Sequence, residues 1–510
     1  MTTKDLVIGI DCSTTACKAV VWNASGVALA QARATFETSQ PYPGWGEQNA
    51  EDWWAATKST LTRAIQMVDS SRIGAISITH QRETFVCLDK HGQQLRSAML
   101  WLDARAVQEV EEFGTERVHE ITGKPPNLTP AWYKMLWLKK HEPETLERAA
   151  KIVDVQGYLV YKLTGAWVTS WGSADPLGII DMRTFDYSDE LLSIVGLGRD
   201  KFCSLVAPGA MIETLSAEVA EELGISKTTP VIAGLGDGQA AQLGTGAILP
   251  GSAYLNMGSG IVSGTYGENY SYSKAYRVLS AAVPGAYTFE TFIGGGTFNL
   301  QWFVEKFAGI DPRVLGLELS PEQVLETAAA LLAPGAAGLM VLPYWTGALT
   351  PFWDHHARGA MIGLTGAHGK AHVYRALLES IAYEQRFLTE GAEAALTVPV
   401  KEVIALGGGS QSKVWCQIMA DVLQRDVDVV KELESTCLGA GMLAATAIGL
   451  HPDVLTAAKE MKGIGQRFNP DPDRVIIYDE LYGIYRSIYP ALRGIFPGLA
   501  AITKKASLLR

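Results

Sequence analysis

The sequence has few cysteines and no excess of basic charge. Its six cysteines among 510 residues form no Cys-x-x-Cys pair and no Cys/His cluster at zinc spacing, which argues against a zinc domain. Scattered thiols in a chain of this length suggest a reducing cytoplasm. The 43 lysines and arginines stand against 54 aspartates and glutamates, and the resulting net charge of −11 disfavours a general nucleic-acid binder.

Signals for membrane insertion and secretion are also missing. No stretch reaches the ~18 uninterrupted apolar residues of a membrane-spanning helix, and the first residues lack a charged segment followed by a long apolar one. We therefore expect no membrane partner, no signal peptide and a cytoplasmic location. Hydrophobic residues make up 47% and charged residues 19%, as in globular proteins, and at about 150 residues per domain the length predicts two to four domains.

Short apolar strands followed by turns of small residues recur along the chain. Residues 6–10 form a candidate strand that leads through a hydroxyl-rich turn into a second strand, and residues 249–267 repeat this order around a Gly-Ser-Gly turn. Residues 230–247 and 403–423 each have the pattern of a strand, a glycine turn and a helix. The alternation predicts an α/β protein of two halves with similar topology, joined near residues 244–251.

The first turn carries a candidate phosphate site. Asp11 ends the first strand, and Thr14 and Thr15 follow it before Lys18. A turn of small hydroxyl residues lets backbone N–H groups approach phosphate oxygens, and a carboxylate at a strand end can hold Mg²⁺. An ordinary polar hairpin turn is the alternative interpretation.

Two glycine turns follow later strands. Asp237 lies in GLGDGQ (234–239) at the C-terminal end of a strand, where α/β sheets place ligands, although an aspartate there is also a common helix N-cap. Gly408 and Gly409 precede a helix and could either admit a nucleotide or form a plain tight turn. Neither turn has the dinucleotide-binding or P-loop pattern. Together with the first turn they suggest a phosphate and nucleotide cleft between two α/β halves.

Polar residues after another strand form a candidate sugar site. Arg82 and Glu83 follow a strand at 73–78 and could supply donors and acceptors to neighbouring hydroxyl groups, with a surface ion pair as the alternative. Trp101 and Asp103 could form an aromatic wall with a polar neighbour, or Trp101 could belong to the core. The sequence contains neither a Gly-x-Ser-x-Gly elbow nor a His-Glu-x-x-His helix, so serine hydrolases of that type and zincins are disfavoured.

In chain order these motifs resemble those of the FGGY carbohydrate kinases, which include xylulokinases and glycerol kinases. The similar segments are 8–18, 43–54, 100–105, 134–141, 154–165, 234–246, 359–379 and 406–415. The overall pattern is most similar to that of xylulokinases. The resemblance implies two actin-like (ribonuclease H-like) α/β domains with a cleft between them. Residues 1–246 would form the N-terminal domain on the sugar and phosphate side, and residues 247–510 the C-terminal domain on the nucleotide side.

The resemblance also implies an ATP-dependent carbohydrate kinase that uses Mg²⁺ and closes its domains around the substrates. Asp237 would be the catalytic base, and Asp11 would hold Mg²⁺. The implied sugar-binding residues, besides Asp237, are Arg82, Glu83, Trp101, Asp103 and Gly238. The implied ATP-binding residues are Thr14, Thr15, Lys18, Gly258, Ser259, Gly408, Gly409 and Ser412.

The substrate motifs are mixed. Residues 342–359 resemble xylulokinases, whereas Arg82 and Glu83 stand where xylulokinases usually have Met-His and where glycerol kinases bind the polyol. We predict a ketopentose substrate, with xylulose first, and a polyol kinase of the glycerol or erythritol type as an alternative. A non-catalytic actin-like ATP-binding protein and an ATPase without a sugar substrate are further alternatives. The expected partners are the sugar or polyol and ATP, and a homodimer stays open.

Overall fold

The computed structural model describes residues 4–310 and 318–507 of the chain. Within the first half, the strands are β1 (Leu6–Cys12), β2 (Ala16–Asn23), β3 (Ala28–Thr35), β4 (Glu47–Gln48), β5 (Ile73–His80), β6 (Phe85–Leu88), β7 (Ala98–Met99), β8 (Lys151–Asp154), β9 (Val168–Ser170), β10 (Ile180–Asp181), β11 (Asp186–Tyr187), β12 (Ser204–Val206), β13 (Met211–Thr214) and β14 (Pro230–Gly236). The α-helices of this half are α1 (Ala50–Ile65), α2 (Val107–Phe113), α3 (Glu116–Thr122), α4 (Ala131–His141), α5 (Pro143–Arg148), α6 (Val155–Thr164), α7 (Trp171–Ala174), α8 (Asp189–Val195), α9 (Ala217–Leu223) and α10 (Asp237–Thr245).

The second half contains a further set of strands and helices. Its strands are β15 (Ser252–Met257), β16 (Ile261–Gly267), β17 (Arg277–Ser280), β18 (Tyr287–Ile293), β19 (Met340–Leu342), β20 (Ala360–Ile362), β21 (Glu402–Leu406), β22 (Val427–Val430) and β23 (Ile464–Phe468). Its α-helices are α11 (Thr297–Phe303), α12 (Pro321–Ala330), α13 (Lys370–Leu396), α14 (Lys413–Leu423), α15 (Ser435–Ala447), α16 (Val454–Met461), α17 (Pro472–Leu492) and α18 (Phe496–Ser507). None of the described helices has the length and hydropathy needed to span a bilayer.

One large sheet forms in each half, and the two sheets share a strand order. In the six-stranded sheet, β1, β2 and β3 are antiparallel, while β5 and β14 continue from β1 as parallel strands. In the seven-stranded sheet, β15, β16 and β18 are antiparallel, while β21 and β22 continue from β15 as parallel strands. The shared order confirms the prediction of two α/β halves with similar topology.

The central strands are apolar because helices or the other half cover both faces of each sheet. All residues of β5 are buried, and β1 is buried except for its penultimate residue, Asp11. Burial on both faces explains the continuous apolar runs in these strands, since a half-exposed strand would alternate. Helix α1 begins at Ala50 because the side chain of Asn49 caps it by accepting from the Glu51 amide.

Close contacts between α15 and the first half bring the two sheets together. A Cβ atom at Gly9 of β1 would lie 2.0 Å from the Cys437 carbonyl oxygen of α15, and one at Gly439 of α15 would lie 2.0 Å from the Ala240 carbonyl oxygen of α10. Only glycine permits backbones to approach this closely. The end of β1 and the start of α10, which carry Asp11 and Asp237, therefore face one cleft between the halves.

Candidate active site

The first hairpin places two hydroxyl side chains and a lysine near Asp11. Asp11 on β1 lies directly opposite Lys18 on β2, and Thr14 and Thr15 form the tip between the strands. The Lys18 ammonium lies 2.7 Å from the carboxylate of Glu434, the residue just before α15. The lysine predicted to face phosphate is therefore held by a carboxylate from the other half of the chain.

The Asp11 carboxylate has a buried oxygen, Oδ1, with no hydrogen-bond partner. Burial raises the pKa of Asp11 well above its usual value, and the negative charge of Asp237 raises it further. A divalent cation at Oδ1 would offset both effects, so Asp11 fits the predicted Mg²⁺ role. The described part of the chain contains no group of three or more His, Cys, Asp or Glu residues that could hold a metal. Other ligands would therefore be phosphate oxygens and water, which suit Mg²⁺.

Asp237 is the first residue of α10 and projects toward the cleft. Gly236 occupies the N-cap position, and the Asp237 carboxylate accepts from the Gly238 amide at 2.7 Å. The same carboxylate lies 2.7 Å from Nε of Arg82, and the side chain of Asp237 is 40% exposed. A Cβ atom at Gly238 would lie 2.6 Å from a carboxylate oxygen of Glu290, so a larger residue at 238 would crowd the site. The structure thus brings together Asp237, Gly238 and Arg82, whose binding of the acceptor stays a prediction.

A set of buried charges, here called the ion cluster, surrounds Arg82. It consists of Arg82 and Glu83 from the first half and Arg277 and Glu290 from β17 and β18 of the second half. Arg82 Nη1 donates to Glu290 at 2.9 Å, and Arg277 donates to Glu83 at 2.7 Å and, through Nε, to Glu290 at 2.6 Å. Tyr254 also donates to Glu290, at 2.7 Å. The ion cluster joins the two halves beside the candidate base.

Glu290 is ionised within the ion cluster. Burial favours its protonated form, but Arg277 and Arg82 outweigh that effect and hold the pKa of Glu290 at about 2. The interactions with Glu290 and Asp237 raise the pKa of Arg82 despite its own burial. Glu290 and Arg82 therefore keep their charges at neutral pH and present fixed acceptors and donors to the cleft.

Trp101 and Asp103 lie on the first-half side of the site but make different contacts. The Trp101 indole N–H donates to the Thr14 hydroxyl at 3.0 Å, which links the candidate sugar wall to the phosphate loop. Asp103 is buried, and its two oxygens accept from Arg105 and from the Gly46 amide. Both Asp103 oxygens are thus engaged within the protein, and its sugar contact stays a prediction.

A cavity of about 430 Å³ in the second half surrounds the predicted adenosine residues. It is lined by Thr297, Leu300, Gln301, Glu322, Gln323, Glu326, Tyr374, Leu378, Gly408, Gly409, Gln411, Ser412 and Trp415. A Cβ atom at Gly408 would meet nothing within 4 Å, so this residue faces open space. Ser412 caps α14 by accepting from the Trp415 amide at 3.0 Å, and its hydroxyl donates to Glu326 at 2.7 Å.

The turn formed by Gly258 and Ser259, between β15 and β16, adjoins this cavity. The Ser259 carbonyl accepts from the Gly296 amide at 2.7 Å, and the Gly258 carbonyl accepts from the Thr297 amide at 2.9 Å. Thr297 itself lines the cavity. The two predicted ATP-binding turns of the second half therefore lie on the same side of the structure.

Sequence reasoning missed Arg277, Glu290 and Glu434. Glu290 did leave a signal, since it is the single charged residue of the mostly buried strand Tyr287–Ile293, where an unpaired charge would be costly. Arg277 at the start of β17 and Glu434 before α15 left none. Arg277 meets Glu83, 194 residues away, as well as Glu290 on the neighbouring strand, and Glu434 meets Lys18, 416 residues away.

Two models of one protein family match the chain. The model of the N-terminal domain of the FGGY family of carbohydrate kinases matches residues 6–244, and the model of its C-terminal domain matches residues 253–448. Together these matches cover most of the chain.

Curated relatives and solved structures are similar along nearly their full lengths. A gluconokinase of Bacillus subtilis is 28% identical over 94% of this chain and 94% of its own. A xylulose kinase of Staphylococcus epidermidis is also 28% identical, over 98% of this chain and 99% of its own. The structure of a ligand-bound xylulose kinase from Lactobacillus acidophilus superimposes with a TM-score of 0.89 at 26% identity, covering 97% of this chain and 99% of that one.

Proposed function

Because this chain belongs to the FGGY family of carbohydrate kinases and is an ATP-dependent sugar kinase, we propose that its acceptor is a ketopentose, with xylulose first. The observation that carries the ketopentose is the similarity to xylulose kinases along nearly the whole chain. The transfer to a sugar hydroxyl is supported by the 2.7 Å contact between Asp237 and Arg82. This contact puts a proton acceptor next to a residue suited to holding sugar hydroxyl groups.

The proposed reaction transfers one phosphoryl group. The oxygen of a primary hydroxyl forms a bond to the γ-phosphorus of ATP while the bond from that phosphorus to the β–γ bridging oxygen breaks, and ADP leaves. The hydroxyl proton passes to the carboxylate of Asp237. Positioning and charge neutralisation dominate such transfers, and bound Mg²⁺ would supply part of the neutralisation. Asp11 would hold the metal, and Lys18 would move from Glu434 to the phosphates.

The remaining site residues bind and orient the two substrates. The hydroxyl turn at Thr14 and Thr15 faces the β- and γ-phosphates from the first half, and the turn at Gly258 and Ser259 faces them from the second. The 430 Å³ cavity that contains Gly408, Gly409 and Ser412 takes the adenosine. Closing the cleft excludes water, which otherwise competes with the sugar as acceptor.

The charge balance of the site favours a neutral acceptor over an aldonate such as gluconate. The guanidinium groups of Arg82 and Arg277 face the carboxylates of Glu83, Glu290 and Asp237. Two cations therefore meet three carboxylates, and each cation is already paired. Within these five residues an anionic acceptor would meet no unpaired cation, so its desolvation would be costly. The buried Lys134 lies near Glu83 but outside this group, and its ammonium donates to the Trp101 and Thr129 carbonyls.

A polyol of the glycerol or erythritol type is the second candidate. The adjacent Arg82 and Glu83 favour it, because a guanidinium beside a carboxylate provides both donors and acceptors for vicinal hydroxyl groups. The wider similarity to xylulose kinases favours the ketopentose. Gluconate is the third compound to test, since a gluconokinase is an equally similar relative.

A substrate panel with coupled ADP detection tests the proposal. Xylulose, ribulose, glycerol, erythritol and gluconate are each titrated with saturating Mg²⁺-ATP, and a reaction without acceptor measures background hydrolysis. We expect kcat/KM for a pentulose to exceed that for gluconate by roughly tenfold or more, equivalent to one unfavourable charge contact. A preference for glycerol or erythritol would establish the second candidate instead. A preference for gluconate would show the charge argument to be wrong.

A further inference from the structure

We propose that Arg277 and Glu290 are positioning residues that set acceptor specificity by fixing Glu83 and Arg82, an inference that rests on the proposed function. Arg277 and Glu290 belong to β17 and β18 of the second half, whereas Glu83 and Arg82 follow β5 of the first half. The acceptor site is therefore built from one half of the chain and held in shape by the other.

Arg277 orients Glu83. Its Nη1 donates to Glu83 Oε1 at 2.7 Å while its Nε donates to Glu290 Oε1 at 2.6 Å, so one guanidinium bridges two carboxylates from different halves. Glu83 also has a left-handed backbone, with φ of 57°, which is costly for a residue with a side chain. The bond from Arg277 helps hold this conformation and leaves Oε2 of Glu83 to accept from a substrate hydroxyl.

Glu290 orients Arg82. Its Oε2 accepts from Arg82 Nη1 at 2.9 Å, while Nε of the same guanidinium lies 2.7 Å from Asp237. Tyr254 donates to the same Glu290 oxygen at 2.7 Å and fixes the carboxylate. The planar guanidinium is thereby hydrogen-bonded to Glu290 through Nη1 and lies beside Asp237 through Nε, which has no hydrogen-bond partner. Nη2 makes no hydrogen bond among the described residues and is the group we assign to a substrate oxygen. A shift of Glu290 would move Arg82, which is both the candidate donor to the sugar and the neighbour of the candidate base, Asp237.

The contacts that Arg277 and Glu290 make across the two halves affect binding of the acceptor more than binding of ATP. Because Arg277 and Glu290 each contact a partner from the other half, the acceptor site is complete only when the two halves are in contact. Replacing either residue should change how the acceptor binds before it changes how ATP binds, since the 430 Å³ nucleotide cavity contains no member of the ion cluster.

The test uses Arg277→Met, Arg277→Lys and the near-isosteric Glu290→Gln in the full-length protein. Arg425→Met is the matched control: Arg425 pairs with Glu393 at 2.7 Å, both are less than one-fifth exposed, and neither belongs to the site. Steady-state kinetics are measured for the best acceptor of the panel and for ATP, and melting temperature reports stability.

For Arg277→Met and Glu290→Gln we expect the acceptor KM to rise roughly tenfold or more while the ATP KM changes less than about twofold, because hydrogen bonds to charged groups are lost only at the acceptor. Arg277→Lys should recover part of the effect, since an ammonium keeps the charge but cannot form the fork. The control should lower the melting temperature with both KM values unchanged. Site variants that lose stability like the control but keep the acceptor KM would overturn the inference.

Misfolding of one variant does not leave the question open. If Arg277→Met fails to fold, Arg277→Lys and Glu290→Gln carry the test, because they keep charge and shape respectively. The acceptor for these assays is whichever compound the wild-type protein phosphorylates best. A wild type that prefers a polyol or gluconate would therefore refute the proposed acceptor and still allow the positioning role to be judged.

Discussion

Replacement of Asp237 by asparagine is the sharpest test of the mechanism. The substitution keeps the size of the side chain and removes the proton acceptor. Side chains that act as general bases contribute roughly 10²- to 10⁴-fold to rates, so we expect kcat to fall by about 10²-fold or more. The acceptor KM should change less, because Arg82 keeps its 2.9 Å bond to Glu290.

The structure also predicts what this substitution should leave intact. The Asp237 side chain is 40% exposed, so its ion pair with Arg82 is screened by solvent and contributes at most about 1 kcal/mol to folding. ATP binding should persist, because the adenosine cavity contains no residue of α10. A loss of turnover with a nearly unchanged melting temperature would therefore report chemistry and not unfolding.

The assay for Asp237→Asn combines three measurements: coupled ADP release for kcat, calorimetry for ATP or ADP affinity, and thermal melting. Asp5→Asn is the matched control, since Asp5 forms a 2.7 Å pair with Arg72 at similar exposure, 36%, far from the cleft along the sheet. The control should keep wild-type turnover. If Asp237→Asn phosphorylates the best acceptor at near wild-type kcat, Asp237 is only an ion-pair partner of Arg82 and the mechanism is wrong.

Three further predictions concern the metal, the nucleotide and pH. Asp11→Ala should keep the fold but raise the Mg²⁺ concentration needed for half-maximal activity by roughly tenfold or more, and an unchanged Mg²⁺ titration would refute its metal role. Glu434→Gln should tighten ADP binding by roughly two- to fivefold in calorimetry, because Lys18 loses its competing carboxylate; weaker binding would contradict this. Burial raises the pKa of Glu384 to about 7 from 4.5, so its contribution to stability is fully present below about pH 4.5 and is lost as pH rises through 7. Glu384→Gln should remove that loss, which is at most about 3 kcal/mol in the free energy of unfolding by denaturant between pH 5 and 8. If the free energy of unfolding of the variant depends on pH as it does in the wild type, Glu384 is ionised in the native protein.

Local motifs could be interpreted from the sequence because their geometry depends on neighbouring residues. The hydroxyl turn after β1 and the glycine turn before α10 each combine an apolar strand with small residues, and such segments fold similarly in many contexts. The family resemblance, now confirmed by both domain matches, rests on the same segments. The positions of Asp11 and Asp237 at strand ends followed from these turns alone.

The partners of the charged residues depended on the tertiary structure. Arg82 and Glu290 lie 208 residues apart, and Lys18 and Glu434 lie 416 residues apart. The sequence around Glu290 indicates that its charge needs a partner, but no local pattern identifies which residue that partner is. Asp103 illustrates the same point, since one of its oxygens accepts from the amide of Gly46, 57 residues away along the chain.

The sequence by itself thus determined the two α/β halves and the turns that can admit phosphate and nucleotide. These features follow from hydrophobic patterning and from small residues whose preferences act over a few positions. Only the tertiary structure decided which charges meet in the cleft and which half positions the acceptor site. Burial of the ion cluster requires strands from both sheets, and whether a charge is paired or exposed depends on how the two sheets come together and not on its neighbours in the chain.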